Sequence, residues 1–122
     1  MEKLTHTEEA TMQAIWRSGE GNIKTFMQFL NEALPYTTVA STVRNLEKKA
    51  YLHSRLVGNA YLYKPAVTEA AYKKKFMGGV VKDYFDNSYK SLVSFIADEK
   101  DLGLKELDEL TELINKLKSQ KK

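Results

Sequence analysis

Apolar residues recur three and four positions apart along most of this chain, and a single stretch around Gly58-Asn59 instead has the side chains of two short strands. That contrast predicts helices on both sides of one short hairpin. Thr5 and Glu8 have the spacing of a helix capping box, and Met12, Ile15 and Trp16 follow at helical intervals until Ser18-Gly19-Glu20-Gly21 stops the run. Asn22 suits the cap of a second helix with Ile23, Phe26, Met27 and Leu30 on its inner side, and Pro35 lies beyond its end. A third helix is expected from about Thr37 to Lys49, with Val39, Val43, Leu46 and Ala50 forming the core face. Side chains then alternate on both sides of Gly58-Asn59, from Tyr51 to Val57 and from Ala60 to Lys64. This is the signature of a two-stranded hairpin with a type II′ turn.

Beyond Pro65 the helical spacing returns. Thr68 is a cap, and Tyr72, Phe76, Val80 and Tyr84 mark one face of a helix that Gly78-Gly79 is expected to kink or break. A second helix carries Tyr89, Leu92, Val93 and Ile96, and a third carries Leu104, Leu107, Leu110, Ile114 and Leu117. The expected architecture is mainly α with a small β-hairpin. Residues 1–66 form one domain and residues 67–122 a three-helix segment. That segment has too little core to be stable alone, which predicts a homodimer held by Phe76, Val80, Tyr84, Leu92, Phe95, Ile96, Leu107, Leu110, Ile114 and Leu117. The competing expectation is that the segment folds back onto the first domain.

Three helices followed by a hairpin is the order of a winged helix-turn-helix, which lays its third helix in the major groove of DNA. The outward side of that helix fits this use. Ser41 and Lys48 lie almost opposite the core face, with Thr37, Arg44 and Asn45 close by, while Glu47 projects to the flank. The whole chain carries +3 at neutral pH, from 19 basic and 16 acidic residues. Residues 44–64 alone hold Arg44, Lys48, Lys49, Arg55 and Lys64 against Glu47, so the positive charge is concentrated there. The candidate DNA contacts are Thr37, Thr38, Ser41, Thr42, Arg44, Asn45, Lys48 and Arg55. Cations would meet phosphates, Asn45 could pair with adenine and Arg44 with guanine.

Other chemistry is poorly supported. The chain has no cysteine, which removes disulfides, thiolate metal sites and cysteine nucleophiles, and no apolar run is long enough to span a membrane. His6 and His53 are the only imidazoles, and no phosphate-cradling glycine loop or hydrolase motif occurs. No enzyme, metal or cofactor is expected. Met1-Glu2-Lys3-Leu4-Thr5 shows no apolar signal region, so a cytoplasmic location is expected. The alternative in another class is a winged-helix protein–protein adaptor, which would more often carry exposed apolar or aromatic anchors on the outward face than cations.

The ordered set Leu4-Thr5, Met12, Ile15-Trp16, Tyr36-Thr37-Thr38-Val39, Leu46, Lys48-Lys49, Leu52, Tyr61-x-Tyr63-x-Pro65, Phe85-x-Asn87-Ser88, Leu92 and Glu106-x-x-x-Leu110 resembles the penicillinase-repressor (BlaI/MecI/CopY) family. The resemblance implies a dimeric repressor on a dyad-symmetric operator, silencing genes for antibiotic resistance, stress or metal handling. In the β-lactam branch of that family, a sensor-linked protease cuts an Asn-Phe bond in the C-terminal segment. The matching pair here is Ser94-Phe95, so the asparagine is missing. The copper branch carries a C-terminal cysteine cluster, which this chain lacks. Members with glycine and arginine at the wing turn correspond here to Gly58-Asn59, with Arg55 as a replacement cation, and the glycine after the third helix corresponds to Ala50.

Overall fold

The computed structural model describes residues 3–99 and 102–121. In chain order the elements are α1 (His6–Ser18), α2 (Ile23–Met27), α3 (Tyr36–Lys48), β1 (Leu52–Val57), β2 (Ala60–Pro65), α4 (Glu69–Phe85), α5 (Tyr89–Glu99) and α6 (Leu104–Gln120). They form two compact units, Met1–Lys75 and Phe76–Lys122. The division therefore falls inside α4 rather than after Ala66, because Tyr72 packs with the first unit. Its ring lies 5.4 Å from Trp16 and 6.0 Å from Tyr51, and its hydroxyl donates to Glu9.

The first unit closes on Met12, Ile15, Phe26, Val39, Val43, Leu46, Tyr51, Leu52 and Tyr63, all buried. Helix α1 starts with the expected capping box: the Glu8 N–H donates to the Thr5 hydroxyl, and the Thr5 N–H donates to the Glu8 carboxylate. Helix α2 is capped by Asn22 but makes only five residues, so Leu30 reaches the core from a turn instead of from the helix. β1 and β2 pair antiparallel from Leu52–Pro65 to Val57–Ala60. At the tip Gly58 takes φ +61°, the left-handed first position that a type II′ turn requires. A third, one-residue strand joins them. Gly21 and Tyr63 exchange both backbone hydrogen bonds, at 3.0 and 2.8 Å, which ties the loop before α2 to the hairpin. A side chain at Gly21 would press within 3.0 Å of Thr25, so the close approach itself selects glycine.

Two details of α3 depart from the expected core face. Ala50 lies past the helix and is exposed, with φ +66°. The Tyr51 N–H donates to Leu46 C=O at 2.9 Å and the Ala50 N–H to Glu47 C=O at 3.0 Å, so the chain makes a Schellman ending with alanine in glycine's place. Alanine in this conformation costs roughly 1–2 kcal/mol. Ala50→Gly is therefore expected to raise stability by about 1 kcal/mol, read as a higher urea midpoint at unchanged slope. A lower midpoint would contradict this. The second departure is Thr42, which is buried and donates to Thr38 C=O at 2.7 Å.

In the second unit, α4 runs unbroken through Gly78-Gly79 where a kink or break was expected. An added Cβ at either glycine meets nothing within 4 Å among the described residues. Asp86 and Asn87 take left-handed conformations (φ +51° and +63°) to reverse the chain, and the Ser91 N–H donates to Ser88 Oγ at the start of α5. The Phe85 and Phe95 rings pack 5.6 Å apart.

Candidate nucleic-acid interface

Helix α3 begins directly after Pro35, whose extended backbone sets the first turn without a side-chain cap. Its inward stripe of Val39, Val43 and Leu46 fixes the rotation of the rod. Thr37, Ser41, Arg44 and Lys48 consequently form an exposed stripe at 4-3-4 spacing on the other side, with Asn45 exposed beside them and Thr38 half-buried at its margin. Arg44 and Lys48 are one turn apart with like charge, an arrangement that slightly destabilises an isolated helix. Among the described residues neither forms an ion pair. The one carboxylate of α3 is turned away: Glu47 accepts a hydrogen bond from Ser54 on β1. The helix thus presents hydroxyls, an amide and uncompensated cations to solvent.

The structure narrows the candidate set. Thr42 does not belong to it, since both its methyl and its hydroxyl are committed to the interior. Lys49 is also committed: its ammonium sits 2.7 Å from the buried Glu8 carboxylate. Burial pushes the Glu8 pKa up, but hydrogen bonds from Lys49 and the Thr5 N–H outweigh it and hold that carboxyl below the usual range. Arg55 donates through Nε and Nη2 to both Glu20 oxygens, at 2.9 and 2.8 Å. This fork lowers the Glu20 pKa and raises that of Arg55, and Glu20 offsets the guanidinium's charge. Lys64 is exposed and forms no ion pair among the described residues. Burial, together with the Glu47 carboxylate, raises the Tyr63 phenol pKa, and the charge of Arg44 opposes the rise.

Sequence periodicity missed a cleft of about 390 Å³ between the start of α2, the first residue of α3 and the wing. Tyr36 and Tyr61 stand in it, half-exposed at 49% and 56%, with Lys24 at its edge. The signal available in the sequence was the pair of tyrosines outside any apolar stripe.

In the second unit the proposed dimer residues are mostly in solvent. Phe76, Tyr84, Phe95, Ile96, Leu107, Leu110, Ile114 and Leu117 are exposed, and Val80 and Leu92 half-buried. Val81, one position from the expected Val80, is the residue of α4 that is fully buried. Ser94 and Phe95 lie in the middle of α5, both exposed. Among the described residues no group of three His, Cys, Asp or Glu is placed to hold a metal ion, and no helix is long and apolar enough to cross a membrane.

Three helices closed by a two-stranded hairpin, with the third helix turning its polar side outward, define a winged helix-turn-helix module. Residues 4–116 match the penicillinase repressor family, and the chain belongs to that family. It is 20% identical to the penicillinase repressor of Bacillus licheniformis over 122 residues, covering 98% of this chain and 95% of that one. Among solved structures, the transcriptional regulator RdhR, which senses organohalides and was solved with 2,4-dichlorophenol, is similar at TM-score 0.50 and 14% identity over 98% of this chain and 65% of its own. BpsR of Bordetella bronchiseptica, whose DNA binding is regulated by 6-hydroxynicotinic acid, follows at TM-score 0.49 and 16% identity, over 97% of this chain and 77% of its own. Membership makes this chain a transcriptional regulator and not an enzyme.

Proposed function

We propose that this chain is a homodimeric repressor that occludes a promoter by binding a dyad-symmetric operator. The first unit reads DNA, and the second couples two copies. The observation that carries this reading is the two-sidedness of α3, with valines inward and an unpaired Arg44–Lys48 stripe outward. Thr37, Thr38 and Ser41 meet the backbone or base edges at the helix start, Asn45 reads a base, and Arg44 and Lys48 neutralise phosphates, with Arg44 turning to a guanine edge where it reaches inward. Arg55 serves in reserve, released from Glu20 when a phosphate competes for it.

Two recognition helices are needed because one spans only a few base pairs. The exposed apolar faces of α4, α5 and α6 are what a second copy would cover. Resistance or stress genes are the targets this membership favours. A sensor-linked protease cutting at Ser94–Phe95 would have to unwind α5 first, and would then sever α6 from the rest. An adaptor would need apolar or aromatic anchors on the outer side of α3, and the stripe of Thr37, Ser41, Arg44 and Lys48 holds none; the exposed apolar side chains nearby are Tyr36 at the helix start and Leu56, Val57 and Tyr61 on the hairpin.

The test is a gel-shift titration on the gene's own upstream DNA with random DNA as competitor, at two salt concentrations. Preference for the upstream fragment, with affinity falling as salt rises, is the expected result. Equal affinity for both DNAs removes the specific repressor.

A further inference from the structure

The cleft beside α3 has the chemistry of a phosphate path. We propose that it holds the sugar-phosphate backbone of one DNA strand, with Lys24 as the counter-charge and Tyr36 and Tyr61 as hydroxyl donors to phosphate oxygens. The proposal rests on the reading of α3 as the helix that enters the groove, and adds a second, sequence-independent foothold next to it.

Four observations carry it. The lining contributes one ammonium, the amides of Asn22 and Asn59 and three phenols, and no carboxylate. Lys24 is exposed and forms no ion pair among the described residues, so its charge is uncompensated. Tyr36 and Tyr61 leave about half their surface in water, and among the described residues their hydroxyls make no hydrogen bond, an uneconomical use of two aromatics unless something covers them. The cradle is also braced. Gly21 is bonded to Tyr63, and Asn22 accepts both the backbone N–H and the hydroxyl of Thr25, so α2 and the wing hold a fixed separation.

Position completes the argument. Tyr36 is the first residue of α3 and directly precedes Thr37 of the outward stripe, so one DNA strand passing the helix start meets both. Tyrosine hydroxyls, amides and lysines are among the groups that position a protein on a phosphate backbone without reading sequence. The wing turn itself, Gly58-Asn59, brings no cation, and Arg55 is held by Glu20. Lys24 then supplies from α2 the charge that the wing tip lacks.

Because backbone contacts ignore sequence, the test uses the full-length chain and a duplex of random sequence, followed by fluorescence anisotropy over a salt series. Lys24→Gln is expected to weaken binding about three- to tenfold and to reduce the slope of log affinity against log salt by about 1. The Tyr36→Phe, Tyr61→Phe pair keeps both rings and is expected to weaken binding about three- to tenfold with the slope unchanged. Thermal unfolding of both variants should match the parent, since these side chains are exposed. Arg44→Gln serves as the control on α3. If it weakens binding while Lys24→Gln keeps the parent slope, or while the tyrosine pair binds as the parent does, the cleft is off the DNA path and the reading of α3 survives. If Arg44→Gln is also without effect, or the parent fails to bind the duplex, both fall.

Discussion

A chain carrying Leu110→Asp and Ile114→Asp is expected to sediment as a monomer at concentrations where the parent is a dimer, and to lose operator affinity by about 100-fold or more. Leu110 and Ile114 are one helical turn apart on α6, and both are exposed within a single copy. Leu110 borders an apolar groove of about 500 Å³ with Ile96, Leu102 and Leu113, while Ile114 and Leu117 border another of about 460 Å³. A carboxylate at either position costs the monomer little, because water already reaches the site. In a dimer the same carboxylate would be buried without a partner, which is strongly unfavourable. The substitution thus separates assembly from folding. The loss of DNA affinity follows because the second half-site is no longer held at high effective concentration once the first is bound. An unchanged sedimentation coefficient would show that another surface joins the copies, or that none does.

The second large effect falls on α3. Arg44→Ala with Lys48→Ala is expected to lower affinity for the upstream operator by about 100-fold and to reduce the salt slope by about 2, one for each phosphate-directed charge. The same change should leave folding stability equal or slightly higher. Alanine is the better helix former, and removing two like charges four residues apart relieves a small repulsion. Binding and stability are expected to move in opposite directions, which no general loss of structure can imitate. An affinity within twofold of the parent would mean that the outer side of α3 is not the reading surface.

Local patterns in the sequence accounted for most of the elements. The Thr5–Glu8 box, the Asn22 cap, the Gly58-Asn59 turn and the Val39, Val43 and Leu46 part of the core face all act within a few residues, and each appears in the structure. What periodicity could not supply were pairings across distance. Lys49 and Glu8 are 41 positions apart, and Arg55 and Glu20 are 35 apart. Those two ion pairs remove two of the five cations that composition had placed together between residues 44 and 64. The Gly21–Tyr63 bridge is of the same kind, and without it the cleft has no braced wall.

Three departures are local and have local causes. Thr42 is a candidate DNA contact in the sequence but not in the structure. It lies one turn after Val39 and beside Val43, and a hydrogen bond to Thr38 satisfies its hydroxyl in the interior. Ala50 continues the valine spacing on paper, yet the helix ends before it and the backbone reverses hand there. Gly78-Gly79 lowers helix propensity without abolishing it, and seventeen continuous residues of α4 outweigh the cost.

Whether the outer side of α3 lies against duplex DNA can be read residue by residue from backbone and side-chain NMR shifts of the intact protein, followed while the upstream operator duplex is added. The largest changes are expected on Thr37, Ser41, Arg44, Asn45 and Lys48, with Val39, Val43 and Leu46 moving far less. Changes confined to other surfaces of the first unit, with that stripe undisturbed at saturating DNA, would contradict that contact.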